Sequence, residues 1–167
     1  MKDTICNVNA DDLSLCLDII HRSFATVAED FGLTESNCPG HTAFMKPEKL
    51  QAKYDAGNRM FLFYMEGKPV GFFTLRQIDV ETWELDHLAV LPEYRCQGIG
   101  AALLRYAMTV VAHNNGSIIK IGIIEENAQL KRWYEKFGFI ATGTERFAHL
   151  PFTVGHMELR LQEILGK

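Results

Sequence analysis

Leu88-Ala89-Val90-Leu91-Pro92-Glu93-Tyr94-Arg95-Cys96-Gln97-Gly98-Ile99-Gly100-Ala101 is the stretch on which the reading of this chain turns. An apolar run stops at a proline that has no N–H for a sheet, a polar loop turns, and two glycines open a segment where Ile99, Leu103, Ala107 and Val110 recur at helical spacing. The first N–H groups of a helix lack intrahelical partners, the aligned peptide dipoles add about half a positive charge there, and glycine clears the approach to the backbone. The turn is therefore a candidate diphosphate site, although a purely structural tight turn needs the same glycines. Two nucleotide patterns fail here. No Gly-Lys-Ser/Thr follows, and Leu103 stands where the third glycine of a dinucleotide fingerprint belongs, with Lys120 near the place of its acidic ribose ligand.

Working outward, Trp83 to Val90 reads as the strand that feeds this turn, and Asn114-Asn115-Gly116 ends the helix that leaves it. A strand at Ile118 to Ile123, a helix from about Asn127 to Phe137 stopped by Gly138, and strands at Phe139 to Thr142 and His156 to Leu161 complete the C-terminal half. Upstream, Met60 to Met65 and Val70 to Leu75 flank Glu66-Gly67-Lys68 as a hairpin. Pro47 starts a short helix that Gly57 ends, and Ile5 to Val8 precedes a helix capped by Asp11 or Asp12 and marked by Leu13, Leu17 and Ile20. The segment from Phe24 to Pro47 carries no clear pattern. The expected fold is mixed α/β, an antiparallel N-terminal half leading into β-α-β-α-β, with no internal repeat.

At 167 residues, 47% of them apolar and 23% charged, the chain suits one soluble domain over residues 1–167. Its longest strongly apolar run, Met60 to Met65, falls far short of the roughly 18 residues that cross a bilayer, and the N-terminus lacks a secretory pattern, so no membrane partner and a cytoplasmic address are expected. A net charge of -4 disfavours nucleic acid as a partner. Four cysteines without a C-x-x-C pair read as reduced thiols, and six dispersed histidines give no metal spacing, so no metal is expected.

Arg95-Cys96-Gln97-Gly98-Ile99-Gly100 resembles the Arg/Gln-x-x-Gly-x-Gly/Ala motif of the GNAT superfamily of acetyl-coenzyme A-dependent N-acetyltransferases. Asn127, Tyr134 and Gly138-Phe139 resemble the second motif of that family, and the match runs from about Glu84 to Phe139. The resemblance implies a mainly antiparallel central sheet of six to seven strands flanked by about four helices. It implies acetyl-coenzyme A as co-substrate, held by Leu88, Ala89, Val90, Arg95, Cys96, Gln97, Gly98, Ile99, Gly100, Ala101, Asn127 and Tyr134, and a small-molecule or peptide amine as acceptor. Asn127 would hold the pantetheine arm, and Tyr134 would give a proton to the departing thiolate. Cys96 departs from a frequent glycine and Ala101 from a frequent basic residue, which leaves more of the phosphate binding to backbone donors.

If the strand before the turn runs straight, Glu84, Asp86, Leu88 and Val90 share one face. An alkyl amine of pKa about 10 is about a thousandfold protonated at pH 7, so a base is needed. Several members of the family carry a glutamate where Glu84 stands, which makes it the first candidate, with Asp86 second and His87 third. N–H groups near Leu88 to Val90 would stabilise the oxyanion, with direct attack in a ternary complex and no cysteine intermediate; Cys96 reads as a small filler. Phe24, Phe31, His41 and Phe44 with Phe147, His149 and Phe152 are candidates for an acceptor pocket, and Glu29, Asp30 and Glu35 for attraction of a cationic amine. The alternative activities are an idle acyl-coenzyme A sensor and, more weakly, a nucleotide-binding oxidoreductase. The sequence leaves the oligomeric state open, a homodimer included.

Overall fold

The structure, a computed structural model, describes residues 2–162. The expected domain of residues 1–167 therefore extends at its two ends outside the described residues. In chain order the elements are β1 (Thr4–Asn7), α1 (Leu13–Asp30), α2 (Pro47–Asp55), β2 (Arg59–Met65), β3 (Lys68–Gln77), β4 (Thr82–Val90), α3 (Ile99–His113), β5 (Ile118–Ile124), α4 (Ala128–Lys136), β6 (Ile140–Arg146) and β7 (Thr153–Arg160). The strands form one seven-stranded sheet in the order β1-β2-β3-β4-β5-β7-β6, and every neighbouring pair is antiparallel except β4 with β5. This is the expected mixed α/β sheet.

Local sequence explains most of these elements. Glu66 and Gly67 both take positive φ, 49° and 79°, the two-residue turn that matches strand twist and joins β2 to β3. In α1 the buried residues Leu13, Cys16, Ile19, Ile20 and Ser23 fall at helical spacing on one face. The helix runs ten residues past Ile20, because nothing before Gly32, at φ 63°, interrupts it.

The sheet is buried on both faces at its centre. Phe61 and Phe73 stack at 4.9 Å and meet Tyr106 of α3 edge-on, and a side chain at Gly71 would lie 2.9 Å from Leu103, so α3 lies tightly on that face. Phe72 and Thr74, on the other face, are equally buried, and α1 packs across β3 and β4 to cover them. A second apolar cluster joins Ala28, Leu33, Cys38 and Ile124 to Phe31, Phe44 and Phe152. It draws the segment after α1 and the β6–β7 loop together over the C-terminal end of β5.

Candidate active site

Two departures from a regular sheet shape the centre of the molecule. Thr74 pairs with Asp86 and Phe72 with Ala89, so β4 takes three residues where β3 takes two, and His87 sits in the bulge with φ 56°. The expected shared face of Glu84, Asp86, Leu88 and Val90 is thereby broken: the extra residue turns Leu88 and Val90 to the face of Leu85, and Ala89 takes the place beside Asp86. The second departure is a fork. The parallel pairing of β4 with β5 covers only Thr82 to Glu84 against Ile118 to Lys120, after which the strands part. Strand alternation turns every other backbone group of Asp86 to Val90 toward this gap, which has no sheet partner on that side.

The glycine turn stands at the open end of the fork. Leu91 N–H donates to Val70 at 2.9 Å, one tight turn carries Pro92–Tyr94, and Cys96 and Gly98 then take left-handed φ values of 62° and 82°. Such alternation points successive N–H groups into one concavity. Among the described residues the N–H groups of Cys96, Gln97 and Gly98 have no protein partner, and α3 makes its first backbone bond from Ala102 to Gly98 at 3.0 Å. Cys96, Gln97 and Gly98 are exposed, and the position a side chain at Gly98 would take has no atom within 4 Å. Ile99 is buried in the core and anchors the helix start, while Gly100 lets the Trp133 ring approach to 3.5 Å of where its side chain would begin. Ala101 is half-buried beside it.

Arg95 belongs to this turn in a different way from the one expected. Its Nε donates to Val90 at 3.2 Å, Nη1 to Thr26 Oγ1 at 2.9 Å and Nη2 to the Ser23 carbonyl at 2.7 Å. The guanidinium is committed to fastening the turn to α1. A second strap joins Arg22 to Glu93 at 2.5 Å. Sequence reasoning missed this role because Ser23 and Thr26 lie some seventy residues upstream.

On the other flank of the fork, Asn127 caps α4 by accepting from Leu130 N–H at 3.2 Å. That bond uses Oδ1 and leaves the Nδ2 donors without a protein partner among the described residues. Tyr134, seven residues on and about 10 Å along the axis, is buried among Trp133 and Phe139. Burial pushes its phenol well above the ordinary value, and the charge of Asp86 adds to the rise. Tyr134 therefore holds its proton at neutral pH.

The base candidates divide by environment. Burial raises Asp86, and the hydrogen bond and charge of Glu84 raise it further, to about 7. Burial also works to raise Glu84, but its hydrogen bonds with Asp86 and Arg76 and the Arg76 charge outweigh that and hold it low. Arg76 Nη2 lies 3.0 Å from the Glu84 carboxylate. His87 is driven down to about 4, by burial first and then by Lys53 and Lys49, so its imidazole is neutral. Its Nε2 is buried without a partner.

Farther out, His41 stands edge-on to Phe24 and Phe44 at 6.3 and 6.1 Å, with Nδ1 accepting from Ala43 N–H. Phe31, Phe44 and Phe152 are packed in the second apolar cluster, and Phe147 and His149 pair at 5.7 Å in the β6–β7 loop. Glu29, Asp30 and Glu35 are exposed. A depression of about 530 Å³ at the opposite end of the sheet, lined by Glu81, Asn115, Gly116, Ser117 and Leu161, contains none of these groups. Among the described residues no group of three His, Cys, Asp or Glu is arranged to hold a metal ion, and no helix is long and apolar enough to cross a membrane.

Known proteins share family and fold with this chain. Residues 26–139 match the acetyltransferase (GNAT) family model. Uncharacterized N-acetyltransferases of Mycobacterium bovis and Mycobacterium tuberculosis are 32% identical over 82 residues, 49% of this chain and 53% of theirs, so the chain spans about half the length of the curated relatives it matches. The fold is shared with PaiA N-acetyltransferase of Thermoplasma acidophilum, solved in complex with coenzyme A, at TM-score 0.79, 19% identity and coverage of 96% and 99% of the two chains. It is shared also with the ribosomal-protein-S18-alanine N-acetyltransferase of Escherichia coli, at TM-score 0.77, 20% identity and coverage of 96% and 94%.

Proposed function

The chain belongs to the acetyltransferase (GNAT) family, and we propose that it moves an acetyl group from acetyl-coenzyme A to a primary amine by direct attack in a ternary complex. The observation that carries this reading is a single fork with unpartnered backbone donors at its mouth and a proton acceptor and a proton donor on its flanks. The residues fit the co-substrate. Bound there, acetyl-coenzyme A would supply an activated acetyl group as a thioester. The free N–H groups from Cys96 to Gly98 and the first turn of α3 would hold the diphosphate, the backbone groups of Leu88 to Val90 that face the gap, apart from the Val90 carbonyl taken by Arg95, would hold the pantetheine amides together with Nδ2 of Asn127, and Arg95 would hold the turn itself in place.

Asp86, rather than the expected Glu84, is the base in this reading. A carboxylate of pKa about 7 can take a proton from an ammonium group at neutral pH, whereas Glu84 is neutralised by Arg76 and tunes its neighbour. Keeping the amine neutral offsets about 4 kcal/mol of protonation at pH 7. As the new carbon–nitrogen bond forms, the N–H groups on Leu88 to Val90 that face the gap would stabilise negative charge on the carbonyl oxygen. Tyr134, protonated in its apolar setting, gives its proton to the departing sulfur. One acetyltransferase domain over residues 1–167 and a cytoplasmic address complete the proposal.

The test is calorimetric titration with acetyl-coenzyme A, followed by thiol detection across an amine panel. Binding that weakens on Gly98→Val, together with thiol release, is the expected result. Absence of coenzyme A binding, or binding with no thiol release on any amine, would refute it.

A further inference from the structure

The charges around the base carry information about the acceptor. Lys49 and Lys53 lie one turn apart on α2, on either side of Leu50, whose side chain is buried and fixes the roll of the helix against the core. The charge of Lys53 bears on Glu84, Asp86 and His87, and that of Lys49 on His87. Neither lysine has a salt-bridge partner among the described residues, and Lys53 is half-buried. Arg76, the other cation, is already paired with Glu84. Glu29, Asp30 and Glu35 act on none of the three central groups. With one Glu84 charge cancelled by Arg76, a partly protonated Asp86 and a neutral His87, the two lysines leave this side of the fork positive. Such a field repels a polyamine and attracts an anion. The buried Nε2 of His87, with no partner of its own, is one more polar atom that a ligand group could satisfy.

We propose that the acceptor is a small amine that also bears a carboxylate, of the free amino-acid class, its amine turned to Asp86 and its carboxylate to Lys53 and Lys49. The inference rests on the acetyl-transfer reading above and narrows its substrate. It disfavours a peptide N-terminus, where an amide replaces the nearby carboxylate, and a polyamine, which adds a second cation.

Matched acceptors decide it. An amino acid, its carboxamide and the corresponding decarboxylated amine are compared by kcat/KM for thiol release, beside spermidine and a short peptide. The free acid should exceed its amide by about tenfold or more, as expected for a hydrogen bond to a charged group. Lys53→Gln should collapse that ratio, and Lys53→Arg should restore most of it. The ratio cancels the change in Asp86 acidity that loss of the lysine brings to every acceptor. Thiol release with spermidine, peptide or amide equal to or better than the acid, or an acid-to-amide ratio unmoved by Lys53→Gln, would overturn this inference while leaving acetyl transfer intact. If no amine is acetylated, calorimetric titration of the acid and its amide into the coenzyme A-loaded protein decides instead: selective binding of the acid supports the inference, and equal or absent binding overturns it.

Discussion

Replacing Asp86 by Asn should make the protein more stable and less active, with both effects set by one ionisation. In the folded chain Asp86 titrates near 7, against an ordinary value of 3.8. Below pH 3.8 the carboxyl is neutral whether the chain is folded or not, and the folded state bears no charge cost. Between 3.8 and 7 the unfolded chain releases the proton and the folded chain keeps it, so stability falls as pH rises, by about 1.4 kcal/mol per unit. Above 7 the full cost, on the order of 4 kcal/mol, is present. Asn has the size and no charge. Urea denaturation of both proteins should therefore give nearly equal stability at pH 3.5 and a gain for the variant that grows toward about 4 kcal/mol at pH 8, or roughly 8–16 °C in midpoint for a chain of this length. Thiol release should fall by a factor on the order of 10² to 10⁴, the range for loss of a general base. A stability difference that does not change with pH would refute the buried-acid argument, and retained turnover would remove Asp86 as base.

Glu84→Gln removes the hydrogen bond and charge that raise Asp86 and frees Arg76, so the acidic limb of the kcat/KM profile should move to lower pH; deeper loss at low pH would return the role of base to Glu84. Tyr134→Phe should leave coenzyme A affinity within about threefold by calorimetry while kcat falls about 10²-fold, because only the hydroxyl proton is lost. Cys96→Gly should raise stability in urea by about 1 kcal/mol, since φ 62° suits glycine better than cysteine, with coenzyme A affinity kept. Arg95→Ala removes two bonds that tie the turn to α1 and one to the Val90 carbonyl, and should cost about 2 kcal/mol in stability and weaken coenzyme A binding although the side chain faces protein; unaltered affinity would show that the turn holds its shape without α1.

Most elements, the glycine turn and the two motifs were legible in the sequence because each rests on contacts between near neighbours; the end of α1, from Phe24 to Asp30, was not. Helical spacing in Ile99 to Val110, the Glu66-Gly67 turn, the proline that ends β4 and the Asn127 cap are all settled within a few residues, so the mixed α/β class and the anion-ready start of α3 follow from the chain alone. Tertiary structure decided how those pieces meet. The bulge at His87 that reverses Leu88 and Val90, the fork beyond Glu84 and Lys120, and the insertion of β7 between β5 and β6 depend on pairing between distant strands. The separation of Glu84 from Asp86 has the same origin. Two carboxylates two residues apart look alike in a sequence; one acquires an arginine from β3, the other is buried, and only the folded chain supplies the guanidinium and the low dielectric that set their acidities apart.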